Sequence, residues 1–159
     1  MFKKITTSFL IWRIALLFVA FLSIYLLPVF GARFPYYDRV LEITHLPYWV
    51  WGFGNFDGVH YLRIAQDGYL AQYSQAFFPV FPILIRFFSF IFPRIPNLDT
   101  NIFTDPAYFY SGIILSNLFF LGALFVLYKL VTLDFKKDVS FLTIIFLLVF
   151  PTSFYFGSV

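Results

Sequence analysis

The chain has 159 residues, of which 61% are hydrophobic, 25% aromatic and 12% charged, whereas about 25% of the residues of a soluble domain are charged. This composition excludes a soluble globular domain and makes lipid the expected solvent for much of the surface. The formal net charge is +3, but the basic residues form no continuous face, so we do not expect nucleic-acid binding. Because the chain has no cysteine, we expect neither disulfides nor thiolate chemistry.

The first predicted element is a transmembrane helix at residues 9–30, an apolar run that Arg13 interrupts near its start. At about 1.5 Å per residue the run covers about 33 Å, enough to cross a hydrocarbon core of roughly 30 Å. Lys3 and Lys4 precede it, so the positive-inside rule places the amino terminus in the cytoplasm. We expect Arg13 to snorkel to the cytoplasmic interface. A cleaved signal peptide is the alternative, but it needs a small residue where this chain has Phe30.

A long extracytoplasmic loop is predicted at residues 31–107. It holds most of the acidic residues and both histidines, together with aromatic residues such as Trp49 and Trp51 that are typical of the membrane interface. Within it, residues 77–92 form an apolar run that is short for a span. We expect this run to be interfacial or re-entrant. If it crossed the bilayer instead, a later lysine-bearing loop would lie outside, against the positive-inside rule.

Two further spans are predicted at residues 108–131 and 139–151, on either side of the lysine-bearing loop. The predicted fold class is therefore all-α integral membrane, a multi-span helical module with about three spans. Interfacial helices are expected at residues 56–67 and 77–92 in the first extracytoplasmic loop. The chain stops within an apolar segment that has no polar tail, so we expect residues 1–159 to be the amino-terminal part of a larger transmembrane domain.

The stretch from Asn55 to Gly68 predicts a short helix with a polar face. Asn55 is a suitable N-cap, Asp57 would favour the positive end of the helix dipole, and Gly68 is typical of the residue after the last turn. Helical spacing places Asp57, His60 and Asp67 on one side. Two carboxylates and an imidazole would then share one face at the membrane surface.

This face could carry acid–base chemistry. A carboxylate such as Asp57 can act as the general base that takes a proton from a sugar hydroxyl as it attacks an activated anomeric carbon. His60 could tune the pKa of Asp57, or bind a phosphate or a sugar hydroxyl. The alternative is that Asp57 only stabilises a helix start and His60 is exposed at the interface. An Asp and a His at i, i+3 supply too few ligands for a metal site, so we expect no metal here. We also expect no cofactor.

Two arginines are candidates for phosphate binding. Arg63 could contact a lipid-linked phosphate, although its i, i+4 spacing to Asp67 also suits an intrahelical ion pair. Arg86 lies in an apolar run, where charge is costly and usually has a partner. It could snorkel or bind a phosphate. The prolines in residues 77–82 favour a stiff start to that run, either as a membrane-entry turn or as a groove for a lipid chain.

Three separated motifs occur in order along the chain. They are Asn55-Phe56-Asp57-Gly58-Val59-His60-Tyr61, followed by Ile64-Ala65 and Gly68-Tyr69; then Gln75-Ala76-Phe77-Phe78-Pro79-Val80-Phe81-Pro82; and finally Phe150-Pro151-Thr152-Ser153 through Gly157-Ser158-Val159. Together they resemble the glycosylphosphatidylinositol mannosyltransferase II family and its bacterial relatives, which belong to the GT-C class of membrane glycosyltransferases.

The resemblance implies a multi-span fold whose first extracytoplasmic loop carries the catalytic aspartate, here Asp57. It implies a polyprenyl- or dolichyl-phosphate sugar as donor, inversion at the sugar carbon and no obligatory metal. The expected reaction transfers a hexose, with mannose as the expected sugar, to a glycan or glycolipid acceptor on the extracytoplasmic side. We expect His60, Arg63, Gln75 and Arg86 to bind the donor phosphate or the acceptor.

Two other classes stay open. A transporter or flippase of lipid-linked sugars would need charged residues inside its spans, but residues 108–131 have none before Lys129. A non-catalytic assembly subunit would tolerate the loss of Asp57 and His60. The expected location is an integral, multi-pass protein among membrane lipids. The membrane would be the bacterial inner or plasma membrane, or the endoplasmic reticulum of a eukaryote.

Overall fold

The computed structural model describes residues 1–27, 37–70, 74–93 and 105–159. Within these ranges the regular elements are helices, and no strand is present. The α-helices in chain order are α1 (Phe2–Leu26), α2 (Tyr37–Val40), α3 (Tyr48–Trp51), α4 (Asp57–Asp67), α5 (Val80–Ser89), α6 (Pro106–Val131), α7 (Lys137–Val149) and α8 (Ser153–Phe156). Short 3₁₀ turns occupy Glu42–Thr44, Gly52–Gly54 and Ser74–Ala76. The all-α prediction is confirmed for the described residues.

Among the described residues, α1 and α6 are the helices long and apolar enough to cross a membrane. Large apolar residues such as Ile14 and Phe18 are exposed on α1, as expected for a helix surrounded by lipid. The start of α6 is well defined, because the Asp105 side chain accepts a hydrogen bond of 2.9 Å from the Ala107 amide and Pro106 occupies the first turn. Residues 28–30 of the first predicted span lie outside the described residues.

The two shorter apolar helices differ from their predicted lengths. Helix α5 has 10 residues and covers about 15 Å, roughly half of a hydrocarbon core. Helix α7 has 13 residues and covers about 20 Å. It ends before Pro151, because a proline disfavours the helical conformation of the residue that precedes it. The third span at residues 139–151 therefore stays a prediction.

Helices α1, α6 and α7 pack through a shared apolar cluster that includes Ile5, Leu124 and Ile144, each fully buried. Helix α1 runs antiparallel to α6: the Phe2 ring lies 5.2 Å from the Phe125 ring, and the Trp12 ring lies 5.4 Å from that of Phe120. The first residues of the chain and the α6–α7 loop consequently lie at the same end of this bundle.

A second apolar cluster packs α2, α3, α4 and α5 against α6. It joins Leu41, Trp51, Leu62, Ile85 and Phe109, all buried. Burial in this cluster does not set the membrane depth of Trp51, so its interfacial position stays a prediction. Its indole is 4% exposed and packs edge-on against a tyrosine ring. Aromatic residues at this end of the molecule thus contribute to a core that packs against α4 and α5.

The prediction that Arg13 snorkels to the cytoplasmic interface is also wrong. Helix α1 begins at Phe2, so residues 2–12 precede Arg13 in the helix and place it about 16 Å from the first turn. The guanidinium is turned inward, with Cζ 4.2 Å from the centroid of the Phe53 ring. Arg13 thus points into the protein from the middle of the span.

Candidate functional site

The helix that carries Asp57 begins after an unusual turn. The Gly58 amide donates a hydrogen bond of 3.3 Å to the Asn55 carbonyl, and Phe56 has φ 59° and ψ −126°. This conformation matches the first central position of a type II′ turn, which usually holds glycine. Phe56 occupies the N-cap position without a side-chain capping bond, so the prediction of Asn55 as N-cap is wrong. The Asn55 Oδ1 atom is instead buried and has no hydrogen-bond partner among the described residues.

Helix α4 is held in place by its apolar face. Val59, Leu62 and Ala65 are buried in the second core cluster, and the Gln66 Oε1 atom accepts a hydrogen bond of 2.7 Å from the Asp105 amide at the start of α6. The opposite side of the first turn is left open. Asp57, the first residue of α4, is therefore exposed.

The Asp57 carboxylate lines a cavity of about 430 Å³, here called the Asp57 cavity. Asn55, Tyr61 and Ser158 also line it, as do the rings of Phe56 and other aromatic residues. A carboxylate, a phenol, an amide and a hydroxyl are thus collected in a pocket with largely aromatic walls. Such a combination is typical of small-molecule sites, in which a few polar groups orient a ligand within an apolar enclosure.

The opposite wall of the Asp57 cavity comes from the last residues of the chain. The Val159 amide donates a hydrogen bond of 3.0 Å to the Phe53 carbonyl. A Cβ atom added at Gly58 would lie 2.8 Å from the Val159 carbonyl oxygen, so this close approach requires glycine. The structure therefore brings the first and third sequence motifs into direct contact.

The second motif packs against α4 from another side. The Phe77 ring stacks on the His60 imidazole at 4.8 Å and meets the Tyr61 ring edge-on at 5.2 Å. The Tyr69 hydroxyl donates a hydrogen bond of 2.7 Å to the Phe77 carbonyl. Phe77 thus ties the end of α4 to the segment that enters α5, and all three motifs converge on α4.

Tyr61 was not predicted as a site residue. Burial raises the pKa of the Tyr61 hydroxyl, and the nearby Asp57 carboxylate and Tyr69 raise it further. The group is therefore a neutral hydroxyl at physiological pH and can donate a hydrogen bond. Its position could have been found from the sequence, because Tyr61 follows Asp57 at i+4 and lies on the same helix face.

The other predicted site residues do not line the Asp57 cavity. His60 and Arg63 are half-buried on α4, whereas Gln75 and Arg86 are exposed. Among them, His60 is connected to the cavity through Phe77, which also contacts Tyr61. The binding roles of these four residues stay predictions.

A second cavity, of about 380 Å³, runs along α1 and is here called the α1 groove. One of its walls is formed by Leu16, Val19, Ala20 and Ser23, which share one face of the helix by their i, i+3, i+4 and i+7 spacing. It shares Phe53, Asn55 and Phe56 with the Asp57 cavity, among other residues. An apolar groove on a span thus adjoins a more polar cavity across a common wall.

One comparison with known proteins found a family model that matches nearly the whole chain. The family model described as Mannosyltransferase (PIG-V) matches residues 7–159, a stretch that includes Asp57 and all three motifs. No curated protein and no solved structure matches the chain. The match confirms the family that the sequence motifs indicated, and it supports glycosyl transfer between a sugar donor and an acceptor in general. The chain belongs to the Mannosyltransferase (PIG-V) family.

Proposed function

We propose that this protein transfers a hexose, with mannose as the expected sugar, from a polyprenyl- or dolichyl-phosphate donor to a glycan or glycolipid acceptor. Family membership supports sugar transfer in general. The finer proposal depends on one observation: the exposed Asp57 carboxylate lines a cavity that the first and third motifs build together.

In the proposed reaction, Asp57 acts as general base. Its carboxylate takes the proton from an acceptor hydroxyl while the hydroxyl oxygen attacks the anomeric carbon. The bond from that carbon to the phosphate oxygen breaks, and the phosphate leaves with the bonding electrons. A single displacement of this kind inverts the configuration at the sugar carbon. Because Asp57 lies in the first turn of α4, the positive end of the helix dipole favours its negative charge.

Tyr61 would assist by binding rather than by proton transfer. The raised pKa of its hydroxyl keeps the phenol protonated when Asp57 is ionised. A neutral phenol beside a carboxylate can donate a hydrogen bond to a sugar hydroxyl or to an oxygen that gains negative charge. This division of roles gives the cavity one group that accepts a proton and one that orients the sugar.

The α1 groove supports a lipid-linked donor. Its α1 wall consists of apolar or small side chains on a helix that is long enough to cross a membrane. Such a wall can hold a hydrocarbon chain within the bilayer by van der Waals packing, without exposing the chain to water. Because the groove shares Phe53 and Phe56 with the Asp57 cavity, a chain in the groove would leave its phosphosugar head close to Asp57.

The proposed orientation places the Asp57 cavity on the extracytoplasmic side. Lys3, Lys4 and the lysines of the α6–α7 loop lie at one end of the bundle, because the Lys129 Nζ atom lies 5.7 Å from the centroid of the Phe2 ring. The positive-inside rule favours a cytoplasmic location for that end. Residues 37–70 and 74–93 then belong to the opposite half of the molecule.

The proposal is tested by an Asp57→Asn substitution in the full-length protein. Loss of the general base should lower sugar transfer in membranes by about 100-fold or more. Asp138→Asn is the matched control, because Asp138 is also an exposed carboxylate in the first turn of a helix, but on α7 and outside the Asp57 cavity. It should transfer sugar at the wild-type rate. Activity of Asp57→Asn close to that of Asp138→Asn would exclude Asp57 as the general base.

A further inference from the structure

Arg13 is a charged side chain in the middle of an apolar span. It is half-buried, and its guanidinium lies against the Phe53 ring, 4.2 Å from Cζ to the ring centroid. The Nη1 atom is buried without a hydrogen-bond partner, and Arg13 has no ion-pair partner in the part of the chain that the structure describes. A cation at this depth is costly unless an opposite charge accompanies it.

The space around the guanidinium is shaped by α6 and by the last residues of the chain. A Cβ atom added at Gly157 would lie 2.8 Å from the Arg13 Nη1 atom and 3.5 Å from the Asn117 Oδ1 atom. The Asn117 amide is fixed, because its Nδ2 atom donates hydrogen bonds of 2.7 Å to the Ile113 carbonyl and 3.1 Å to the Gly157 carbonyl. Its Oδ1 atom is buried and unpartnered among the described residues. Two polar atoms thus converge beside the Gly157 Cα atom.

Neither the aromatic ring nor a buried water completes this site. The face of Phe53 attracts a cation, and a water molecule could satisfy both the Nη1 and Oδ1 atoms. Neither of them supplies a full negative charge. The planar guanidinium fork is complementary to the paired oxygens of a phosphate or a carboxylate, so an oxyanion accepts a hydrogen bond from the Nη1 atom and supplies the missing charge. The Asn117 Oδ1 atom is an acceptor and takes its hydrogen bond from a separate donor such as water.

We propose that Arg13 binds an oxyanion at the junction of α1, α6 and residues 153–159. The oxyanion is either the phosphate of a lipid-linked substrate or a carboxylate of the protein itself. The phosphate source rests on the proposed function, whereas the carboxylate source does not. Phe53 places the site next to the substrate region, because its ring contacts the guanidinium and it lines both the Asp57 cavity and the α1 groove.

The test is an Arg13→Met substitution in the detergent-solubilised full-length protein. Met keeps much of the apolar stem and removes the charge, so it separates packing from charge. The thermal unfolding midpoint is measured alone, with farnesyl monophosphate and with farnesol, which has the same chain without the anion. Lys137→Met is the control, because Lys137 is an exposed cation on α7 and its loss should leave each midpoint unchanged.

The outcomes distinguish the two sources. If the oxyanion is a substrate phosphate, farnesyl monophosphate but not farnesol raises the wild-type midpoint, and Arg13→Met abolishes that rise without unfolding earlier when no ligand is present. If it is a protein carboxylate, Arg13→Met unfolds several degrees earlier with or without ligand, because the carboxylate loses its partner. Arg13→Lys should then recover part of the loss.

Two results would overturn the proposal. In the first, Arg13→Met has an unfolding midpoint no lower than that of the wild type, and farnesyl monophosphate changes both midpoints by the same amount. This includes the case in which it changes neither. In the second, Arg13→Met and Arg13→Lys both unfold several degrees earlier than wild type by the same amount, and Arg13→Met responds to farnesyl monophosphate as the wild type does, which would indicate packing alone. Because these readouts are binding and unfolding, they do not depend on whether Asp57 acts as a base.

Discussion

Phe56 holds its backbone in a conformation that a bulky side chain disfavours, directly before Asp57. Its φ of 59° and ψ of −126° lie in a region populated mainly by glycine, and such strain typically costs about 1–3 kcal/mol. The Phe56 ring is 56% exposed and lines both cavities. The turn therefore places an aromatic ring at the shared wall and directs the next residue, Asp57, into the Asp57 cavity.

The strain at Phe56 predicts an order of stability for two substitutions. Phe56→Ala removes the ring but keeps a Cβ atom at positive φ, whereas Phe56→Gly removes both. Despite the usual entropic cost of glycine, Phe56→Gly should be more stable than Phe56→Ala by roughly 1 kcal/mol. The measurement is the thermal unfolding midpoint of each variant. A higher midpoint for Phe56→Ala would show that residue 56 does not have a positive φ.

The sequence indicated which residue types of the candidate site could carry chemistry, but it did not indicate the backbone conformation that positions them. The place of Asp57 at a helix start was predicted from its motif and is observed, whereas its catalytic role stays a prediction. The capping role assigned to Asn55 was wrong, because tertiary contacts impose the turn at Phe56 and local preferences do not reveal it. Tyr61 was missed although its i+4 spacing from Asp57 was readable. Contacts such as that between Phe77 and His60 could not be inferred without the fold.

At the scale of elements, the site depends on the packing of α4 against the carboxyl-terminal segment. The burial of Val59, Leu62 and Ala65 orients α4, and the Val159 carbonyl approaches Gly58 too closely for any other residue. The capping pattern from Asn55 to Gly68 predicted α4 within one residue of its observed start, although the N-cap is Phe56 and not Asn55. The predicted start of α1 was seven residues late, since Lys3 and Lys4 were taken to precede the helix, and this error caused the wrong expectation for Arg13.

This packing predicts that Gly58→Ala opens the Asp57 cavity. Because the opposing atom is a backbone oxygen 2.8 Å from the new Cβ, α4 and residues 153–159 must separate, at a cost of about 1–3 kcal/mol. Gly122→Ala is the matched control, since a Cβ at Gly122 meets no atom within 4 Å and alanine favours the helix. The thermal unfolding midpoint should be lower than that of the wild type for Gly58→Ala but not for Gly122→Ala. Equal midpoints for the two variants would contradict the close approach.

At the scale of the whole molecule, the antiparallel packing of α1 and α6 divides the described residues into two ends. One end holds the lysines near the amino terminus and in the α6–α7 loop, and the other holds α4 and α5. Composition alone predicted a helical membrane protein, and the lysine positions predicted its orientation. The number of spans could not be derived, because the lengths of α5 and α7 depend on prolines and on packing as well as on hydropathy.

The proposed orientation predicts opposite labelling of two single-cysteine variants in a background without other cysteines. Lys136 lies in the α6–α7 loop and is exposed, whereas Leu70, which is 83% exposed, follows α4. A membrane-impermeant maleimide added to intact cells, or to sealed vesicles of known orientation, should label Leu70→Cys from the extracytoplasmic side and leave Lys136→Cys unlabelled until the membrane is permeabilised. The reverse pattern would place the Asp57 cavity in the cytoplasm.

Steady-state kinetics of Asp57→Asn in the full-length protein test the role of Asp57 most directly. If Asp57 is the general base, kcat for sugar transfer falls by about 100-fold or more. The KM for the polyprenyl-phosphate sugar stays within a few-fold of the wild-type value, because the carboxylate acts on the acceptor hydroxyl in the transition state. A kcat close to that of the wild type, with or without a change in KM, would contradict general-base catalysis by Asp57.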